Sequence, residues 1–319
     1  MHAPPTLRRG LAIPEELGRI SLAELNAAAS MLTRVDRKYA LKRSEAESLI
    51  ADLDRATKIL DIEGVTAHSY ASTYFDTPGL DSFCGAAQAR RRRYKIRIRS
   101  YLDSGLAFLE VKTRGPRGRT IKERIPYDPD AALEGVLTPE GALWARRTIG
   151  AAGCSAPPSE ALGPVLEGRY MRTTLLMTEG IGRATLDDRL EWKDLRALRP
   201  GSGGAGMQPP SPASRISAPE LVIIETKSGS APSPLDHLLW SRGHRPVRFS
   251  KYATALAALD PELPANRWTR SLAHAFGRER CERARRAGAM PSVLPAVPDA
   301  DLKPRDSTTR PRRLRLLAS

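Results

Sequence analysis

One stretch of the chain decides the fold class: residues 93–101 read RYKIRIRSY. Successive side chains of a β-strand point to opposite faces of a sheet. The four cationic residues of this stretch therefore fall on one face, and the apolar residues between them fall on the other. The pattern predicts a β-strand with one cationic face and one apolar face.

The same alternation recurs in three later segments. Their charged faces carry Glu110, Lys112, Arg114, Lys122, Arg124, Glu225 and Lys227. For any one strand, a half-buried sheet whose polar face meets water is a sufficient explanation. Four strands whose polar faces are mainly cationic favour a different explanation, a site for an anion, because like charges opposite each other repel unless an anion compensates them. The sequence thus predicts a shared cationic surface.

Turn residues divide the rest of the chain into short elements. Further strands are predicted at residues 34–41, 68–75, 93–102, 107–113, 120–126, 168–178, 182–190 and 221–227. Helices are predicted at residues 21–32 with Ser21 and Glu24 as a capping box, 44–53 with Ser44 and Glu47 in the same roles, 139–151 and 233–242. The fold class is therefore predicted as α+β, an antiparallel β-barrel built as a meander with helices packed outside.

The pattern also predicts three segments along the chain. Residues 1–29 form an N-terminal extension with a short helix, and residues 30–264 form the barrel domain. A Gly-, Ser- and Pro-rich stretch at 199–219 interrupts this domain as a predicted mobile loop. Residues 265–319 are predicted to be a basic, largely disordered tail.

Composition narrows the functional classes. The net charge is +15, from 51 Lys and Arg against 36 Asp and Glu, which indicates an anionic partner. The three cysteines stand far apart, so neither a disulfide framework nor a zinc site is indicated. No apolar run is long enough for a transmembrane segment, and we expect a cytoplasmic protein. Few aromatic residues accompany the basic tail, so specific nucleic-acid binding is not expected.

A barrel with these faces turned inward would form a tunnel of positive potential. Such a tunnel suits a linear triphosphate or a longer polyphosphate. Phosphates in proteins are usually accompanied by a divalent metal, which prefers oxygen ligands. Glu110, Asp187 and Glu225 are the inward-facing carboxylates that could supply such ligands.

An ordered set of motifs resembles a known family, the triphosphate tunnel metalloenzymes (CYTH-like), and within it the VTC-type polyphosphate polymerase domain. The motifs span roughly residues 30–260 and are Arg34-x-Asp36-x-Lys38-Tyr39, Thr73-Tyr-Phe-Asp-Thr77, Lys95-x-Arg97-x-Arg99-x-Tyr101, Phe108-Leu-Glu110-Val-Lys112, Lys122-x-Arg124, Tyr170-Met-Arg172, Arg183-x-Thr-x-Asp187, Glu225-x-Lys227 and Phe249-Ser-Lys251-Tyr252. The triphosphatase branch opens with Glu-x-Glu-x-Lys. The motif that starts at Arg34 departs from that pattern and resembles the polymerase branch.

The resemblance implies a phosphotransferase that uses ATP and Mn²⁺ or Mg²⁺ to extend a polyphosphate chain. The residues it implies for phosphate binding are Lys38, Arg97, Arg99, Lys112, Lys122, Arg172, Arg183, Arg248 and Lys251. It implies Glu225 as the metal ligand, with Asp36, Lys227, Tyr39 and Tyr252 as further candidates. Arg248 stands where the polymerase branch has Lys. Arginine keeps the positive charge but presents its N–H donors in a different geometry.

Two alternatives stay open at this stage. The same scaffold could hydrolyse triphosphate or nucleoside triphosphate, or it could bind polyphosphate without catalysis. Because the acceptor oxygen itself attacks in phosphoryl transfer, the sequence does not distinguish a phosphate acceptor from water. A membrane-protein partner and the oligomeric state are likewise undetermined by the sequence.

Overall fold

A computed structural model describes residues 10–28, 35–114, 120–177, 182–198 and 215–277 of the chain. The strands are β1 Gly18–Ile20, β2 Val35–Lys42, β3 Lys58–Leu60, β4 Ala67–Asp76, β5 Arg93–Tyr101, β6 Leu106–Arg114, β7 Thr120–Tyr127, β8 Gly163–Leu176, β9 Gly182–Asp194, β10 Arg215–Ala218 and β11 Leu221–Ser228. The helices are α1 Leu22–Ala28, α2 Arg43–Ala51, α3 Asp81–Ala87, α4 Pro129–Glu134, α5 Pro139–Ala151, α6 Pro234–Ser241, α7 Ala253–Leu259 and α8 Thr269–Phe276.

The described strands form one sheet, in which all pairs are antiparallel except the short pair of β1 and β3. The hydrogen-bonded order is β2-β11-β9-β8-β4-β5-β6-β7. The predicted α+β class with an antiparallel, tunnel-like sheet is confirmed. The sheet curls without closing: among the described residues, β2 and β7 are the two ends of this path and are not paired with each other.

The segment between α6 and α7 covers the free edge of β2. The backbone N–H of Val247 donates to the carbonyl of Lys38 (2.7 Å), and the Lys38 ammonium donates to the carbonyl of Phe249 (3.3 Å). An edge strand leaves unpaired N–H and C=O groups. Residues 247–249 therefore satisfy part of the edge that the open sheet exposes.

The predicted meander is wrong beyond β7. Strands β4 to β7 follow one another, but β8 returns to pair with β4, and β11 lies between β9 and β2. The strand predicted at 168–178 begins five residues earlier, at Gly163, and the one predicted at 182–190 continues to Asp194. Both strands pair with neighbours on each side, and this pairing extends them beyond what local alternation indicates.

The sequence predicts capping boxes at the N-termini of helices α1 and α2. The capping box at α1 is confirmed, since the N–H of Ser21 donates to the Glu24 carboxylate (2.9 Å) and the N–H of Glu24 to the Ser21 hydroxyl (3.3 Å). The capping box predicted for α2 is wrong. That helix begins at Arg43, and the Glu45 carboxylate accepts from the N–H of Lys42 (2.8 Å).

Helices cover the outer, apolar face of the sheet in two places. Helices α4 and α5 pack on β5 and β6 around Ile96, Leu109 and Ile149. Helices α2 and α6 pack on β2, β9 and β11 around Leu49 and Leu239. On β5 and β6 the apolar residues are buried outward against these helices, so the cationic residues that alternate with them are directed inward.

A third apolar cluster joins α3, α7 and α8 to the sheet. It includes Phe83, Tyr252, Trp268 and Leu272, all buried. Residues 265–277, the described part of the predicted tail, pack on the domain through this cluster. Their burial depends on a partner surface far away in sequence, which local composition does not reveal. Residues 278–319 and most of the predicted loop 199–219 lie outside the described residues.

Candidate functional site

The inner wall of the sheet is formed by the inward-facing side chains of its strands. On β5, β6 and β7 these side chains meet in register, so that Lys95, Lys112 and Lys122 lie side by side on three neighbouring strands. The next row in the same register contains Arg97, Glu110 and Arg124, so that one carboxylate lies between two cations. The wall is thus a grid of cations with few carboxylates.

Glu110 holds two of the wall's cations in place. Its carboxylate accepts from the Arg97 Nε (2.7 Å) and forms an ion pair with Lys122. Burial alone would raise the pKa of Glu110, but the charges of Arg97, Arg99 and Lys122 lower it well below its usual range. Glu110 therefore stays ionised and fixes the guanidinium of Arg97.

Asp187 has the same role on β9. It accepts two parallel hydrogen bonds from Arg172, at 2.6 and 2.8 Å, and forms an ion pair with Lys251. Burial opposes its ionisation, but Arg172 and Lys251 lower the pKa of Asp187 well below its usual range. The Lys251 ammonium also lies 4.7 Å from the centre of the Tyr170 ring, a favourable cation–π geometry.

Glu225 on β11 differs from the other two carboxylates in its accessibility. It pairs with Lys227 and, at 3.7 Å, with Lys38, and these cations hold its pKa well below its usual range against the effect of burial. Its side chain is 18% exposed, whereas those of Glu110 and Asp187 are 0% and 1% exposed. Glu225 is thus the carboxylate of the three that an incoming ion can reach.

Four cations of the wall form no ion pair with a carboxylate among the described residues: Lys95, Arg99 and Lys112, which are at least partly buried, and Arg124, which is exposed. Burial, and then the neighbouring charge of Arg97, lower the pKa of Lys112 to about 7. The pKa of Lys95 is also well below its usual range, because of burial and the charge of Lys112. Their charge is therefore compensated only weakly by the protein itself.

Several buried polar atoms of the wall also have no hydrogen-bond partner in the described part of the chain. They are the Nε of Arg99, the hydroxyl of Ser72 beside it on β4, and the hydroxyl of Thr185, which lies opposite Glu225. Native proteins rarely leave buried donors unpaired unless water, an ion or a ligand satisfies them. These atoms supply donors for an anionic ligand in the tunnel.

The structure brings most of the predicted site residues together on the inner wall. They are Lys38, Arg97, Arg99, Lys112, Lys122, Arg172, Lys251 and Lys227, with Glu110, Asp187 and Glu225. Arg183 lies opposite Lys227 on the neighbouring strand, and Asp36 lies opposite Lys227 on the other side. Arg34, the first residue of the first motif, lies outside the described residues.

Three predicted residues stand outside the ion pairs of this wall. The Tyr39 hydroxyl donates to Asp236 (2.7 Å) on the outer face, where it is fully buried. The Tyr252 hydroxyl donates to the buried Asp76 (2.6 Å) in the apolar cluster of α3 and α7. Arg248 is exposed and near Arg267, outside the ion pairs of the wall. Tyr39 follows the inward-facing Lys38 on β2, so its side chain lies on the opposite face of the sheet.

Sequence reasoning missed Lys95 as a site residue, together with Ser72 and Thr185. Lys95 shares the alternation of Arg97 and Arg99, so its inward position was present in the pattern. The two hydroxyls carry no charge signal, and only the strand pairing places them beside Arg99 and Glu225.

A divalent metal fits this wall only with ligands from a bound phosphate. Among the described residues, no group of three or more His, Cys, Asp or Glu side chains could hold a metal ion. Mg²⁺ in phosphate-transfer sites is commonly held by one or two carboxylates plus phosphate oxygens and water. The accessible Glu225 meets this requirement, whereas Glu110 and Asp187 are already enclosed by cations.

A comparison with solved structures gives similar chains of low sequence identity. A Hippeastrum structure, a candidate adenylyl cyclase reported with a dominant triphosphatase activity, is 18% identical, covers 70% of this chain and 94% of its own, and has a TM-score of 0.42. A candidate adenylate cyclase from Vibrio parahaemolyticus is 14% identical, with coverages of 71% and 86% and a TM-score of 0.31. A search of curated proteins gives no match.

No helix in the described ranges is long and apolar enough to cross a membrane.

The family model of the VTC domain matches residues 33–260, which contain every strand from β2 to β11 and all the carboxylates of the inner wall. By this match, the chain belongs to the VTC domain family.

Proposed function

We propose that this protein transfers the terminal phosphoryl group of ATP to a polyphosphate chain held in the tunnel. The observation that carries the proposal is the pair of Lys95 and Lys112, with Arg99 two inward-facing positions further along β5, all without a carboxylate partner among the described residues. A bound polyanion would supply the missing negative charge. Membership of the VTC domain family supports the same ligand class.

The ion-paired residues supply fixed geometry. Arg97 and Arg172 are each held by a buried carboxylate, so their guanidinium groups do not have to be ordered when the ligand binds. Phosphoryl transfer requires the attacking and leaving oxygens to lie roughly in line with the phosphorus atom. Cations held in fixed positions along the tunnel would align a linear phosphate chain in this way. This alignment would lower the activation barrier of phosphoryl transfer.

The chain itself need not supply a nucleophile or a base. An oxygen of the acceptor phosphate is already ionised near neutral pH, so it attacks the terminal phosphorus without loss of a proton. The bond from that phosphorus to the bridging oxygen of ADP breaks, and the negative charge that develops on ADP is stabilised by neighbouring cations. Lys95, Lys112 and Arg99 are available for this because no carboxylate of the described chain neutralises them.

Glu225 is the residue that would hold a divalent metal, Mn²⁺ or Mg²⁺. Such a metal neutralises phosphate oxygens during transfer. Glu225 is near enough to Lys112 for its charge to oppose the lowering of the Lys112 pKa by burial and by Arg97. The carboxylate therefore stands close to where the phosphates would bind.

The test is incubation of the purified protein with ATP and Mn²⁺, or with ATP and Mg²⁺, followed by gel separation of polyphosphate from orthophosphate. We expect a ladder of polyphosphate and release of ADP. Orthophosphate as the sole product would identify a triphosphatase instead. Binding of tripolyphosphate without turnover under either metal would identify a binding module.

Two variants make this test specific to the tunnel. Lys95→Met with Lys112→Met removes the two facing lysines of β5 and β6 at similar side-chain length and should abolish product formation. Arg146→Gln with Arg147→Gln removes two cations from the exposed surface of α5, outside the tunnel, and should leave it unchanged. Equal activity of both double variants would contradict the proposed site.

A further inference from the structure

Four arginines converge at one end of the inner wall. Arg93 is the first residue of β5 and Arg114 the last of β6, and the two lie directly opposite each other. Arg267, in the segment before α8, lies close to Arg248, in the segment before α7, and to Arg114. Burial lowers the pKa of Arg267, and the charges of these two arginines lower it further. Burial lowers the pKa of Arg93, and the charges of Arg114 and Arg267 lower it further. We call these four residues the arginine rim.

The backbone around the rim is held in place by hydrogen bonds. The Arg267 guanidinium donates to the carbonyl of Ala86 at the end of α3 (2.6 Å). The hydroxyl of Ser271 in α8 donates to the carbonyl of Arg248 (2.7 Å). The packing of α3 and α8 therefore brings these arginines together and does not leave them on a freely moving surface.

The charge of the rim is not balanced within the described chain. None of the four arginines forms an ion pair with a carboxylate of the described residues. Like charges directly opposite each other on antiparallel strands are destabilising. Arg114 and Arg248 are exposed, and Arg93 and Arg267 are partly exposed, so that a ligand in solution can reach them.

The rim continues the cationic face of β5. Arg93, Lys95, Arg97 and Arg99 lie on the same face, and a strand rises about 3.3 Å per residue, so the row from Arg93 to Arg99 is roughly 20 Å long. A triphosphate is several phosphate units shorter than such a row. A ligand that occupies the whole row is therefore a longer phosphate chain.

We propose that the arginine rim is a second anion-binding site, which holds the phosphate units of a polyphosphate chain that extend beyond the triphosphate-binding part of the tunnel. The proposal rests on the proposed function and deepens it. It assigns a direction to the bound chain, whose distal units leave the tunnel between the start of β5 and the end of β6. It also predicts a preference for long chains over tripolyphosphate.

The test compares two ligands and two double variants by titration calorimetry at fixed salt. Arg114→Gln with Arg267→Gln reduces the charge of the rim, and glutamine keeps an N–H donor. Arg146→Gln with Arg147→Gln removes the same charge from the outside of α5 as a matched control. The ligands are tripolyphosphate and a polyphosphate of many tens of units, and melting temperatures confirm that each variant is folded.

For the rim variant we expect long-chain affinity to fall at least about tenfold, as for the loss of charged hydrogen bonds, while tripolyphosphate affinity stays within about twofold. The control should bind both ligands like the parent. Equal loss for both ligands, or no loss for either, would overturn the rim while leaving the tunnel intact. Failure of the parent protein to bind tripolyphosphate at all would instead refute the proposed function.

Discussion

Lys95 lies directly opposite Lys112 in the antiparallel pair of β5 and β6, and neither ammonium group has a carboxylate partner among the described residues. Burial and the charge of Arg97 lower the pKa of Lys112 to about 7. The positive charge of this pair is therefore sensitive to pH near neutrality. A polyanion bound between the two lysines would favour their charged forms.

The affinity for tripolyphosphate should decrease as the pH rises through about 7, because free Lys112 loses its proton there and binding must restore it. Calorimetry in two buffers of different ionisation enthalpy would show proton uptake on binding. Lys112→Arg keeps its charge throughout this range, so proton uptake should be smaller than in the parent. Identical uptake in the two proteins would show that Lys112 does not contact the phosphates.

Replacement of Arg99 by alanine should weaken tripolyphosphate binding by about 1.5–3 kcal/mol, the usual contribution of a charged hydrogen bond. Arg99 is suited to this contact because its Nε has no partner among the described residues, while its Nη2 lies 3.2 Å from the Tyr170 hydroxyl. Tyr170→Phe is the matched control, since it removes this hydroxyl and leaves the charge. Full affinity in Arg99→Ala would mean that β5 does not present Arg99 to the ligand.

The carboxylates of the wall should divide into two classes when neutralised. Glu225→Gln should bind tripolyphosphate and remain folded but lose metal-dependent turnover with ATP, because it removes the accessible oxygen ligand. Turnover measured against Mn²⁺ concentration checks this. Normal activity with an unchanged metal dependence would exclude Glu225 as the metal ligand.

Asp187→Asn should instead destabilise the fold. It leaves Arg172 and Lys251 without their counter-charge, and breaking a buried ion pair typically costs about 3–5 kcal/mol. Urea unfolding without ligand measures this difference against Glu225→Gln. Equal stability of the two variants would show that burial of Asp187 does not distinguish it from Glu225.

A chain that ends at residue 277 should fold with a melting temperature near that of the full protein, because it keeps every described residue. A chain that ends at residue 264 should be strongly destabilised. It loses the buried side chains of Trp268 and Leu272, and the loss of one such large apolar side chain from a core costs about 2–5 kcal/mol. Thermal melts of both truncations provide the test. Equal melting temperatures of the two truncated proteins would support a domain boundary near residue 264.

Much of the architecture was predictable from local patterns. The alternation at residues 93–101 determines which side chains of β5 share a face, since neighbouring residues of a strand always point to opposite sides. The same rule placed Lys112, Lys122 and Lys227 correctly without knowledge of their neighbours. It also contradicted the assignment of Tyr39 to the site, because Tyr39 follows Lys38 and so faces the helices.

The sequence by itself thus determined that the fold is built on antiparallel strands with a cationic inner face, and it indicated an anionic ligand. Only the tertiary structure decided which carboxylates are enclosed. Glu110 and Asp187 form ion pairs with cations on neighbouring strands, and the register of those strand pairs cannot be predicted from either strand alone. It likewise decided that Lys95 and Lys112 lie side by side without a carboxylate partner among the described residues, and that Arg267 lies near Arg93. Ion pairing acts over a few ångströms between residues far apart in the chain, so it depends on how the strands are ordered rather than on any one of them.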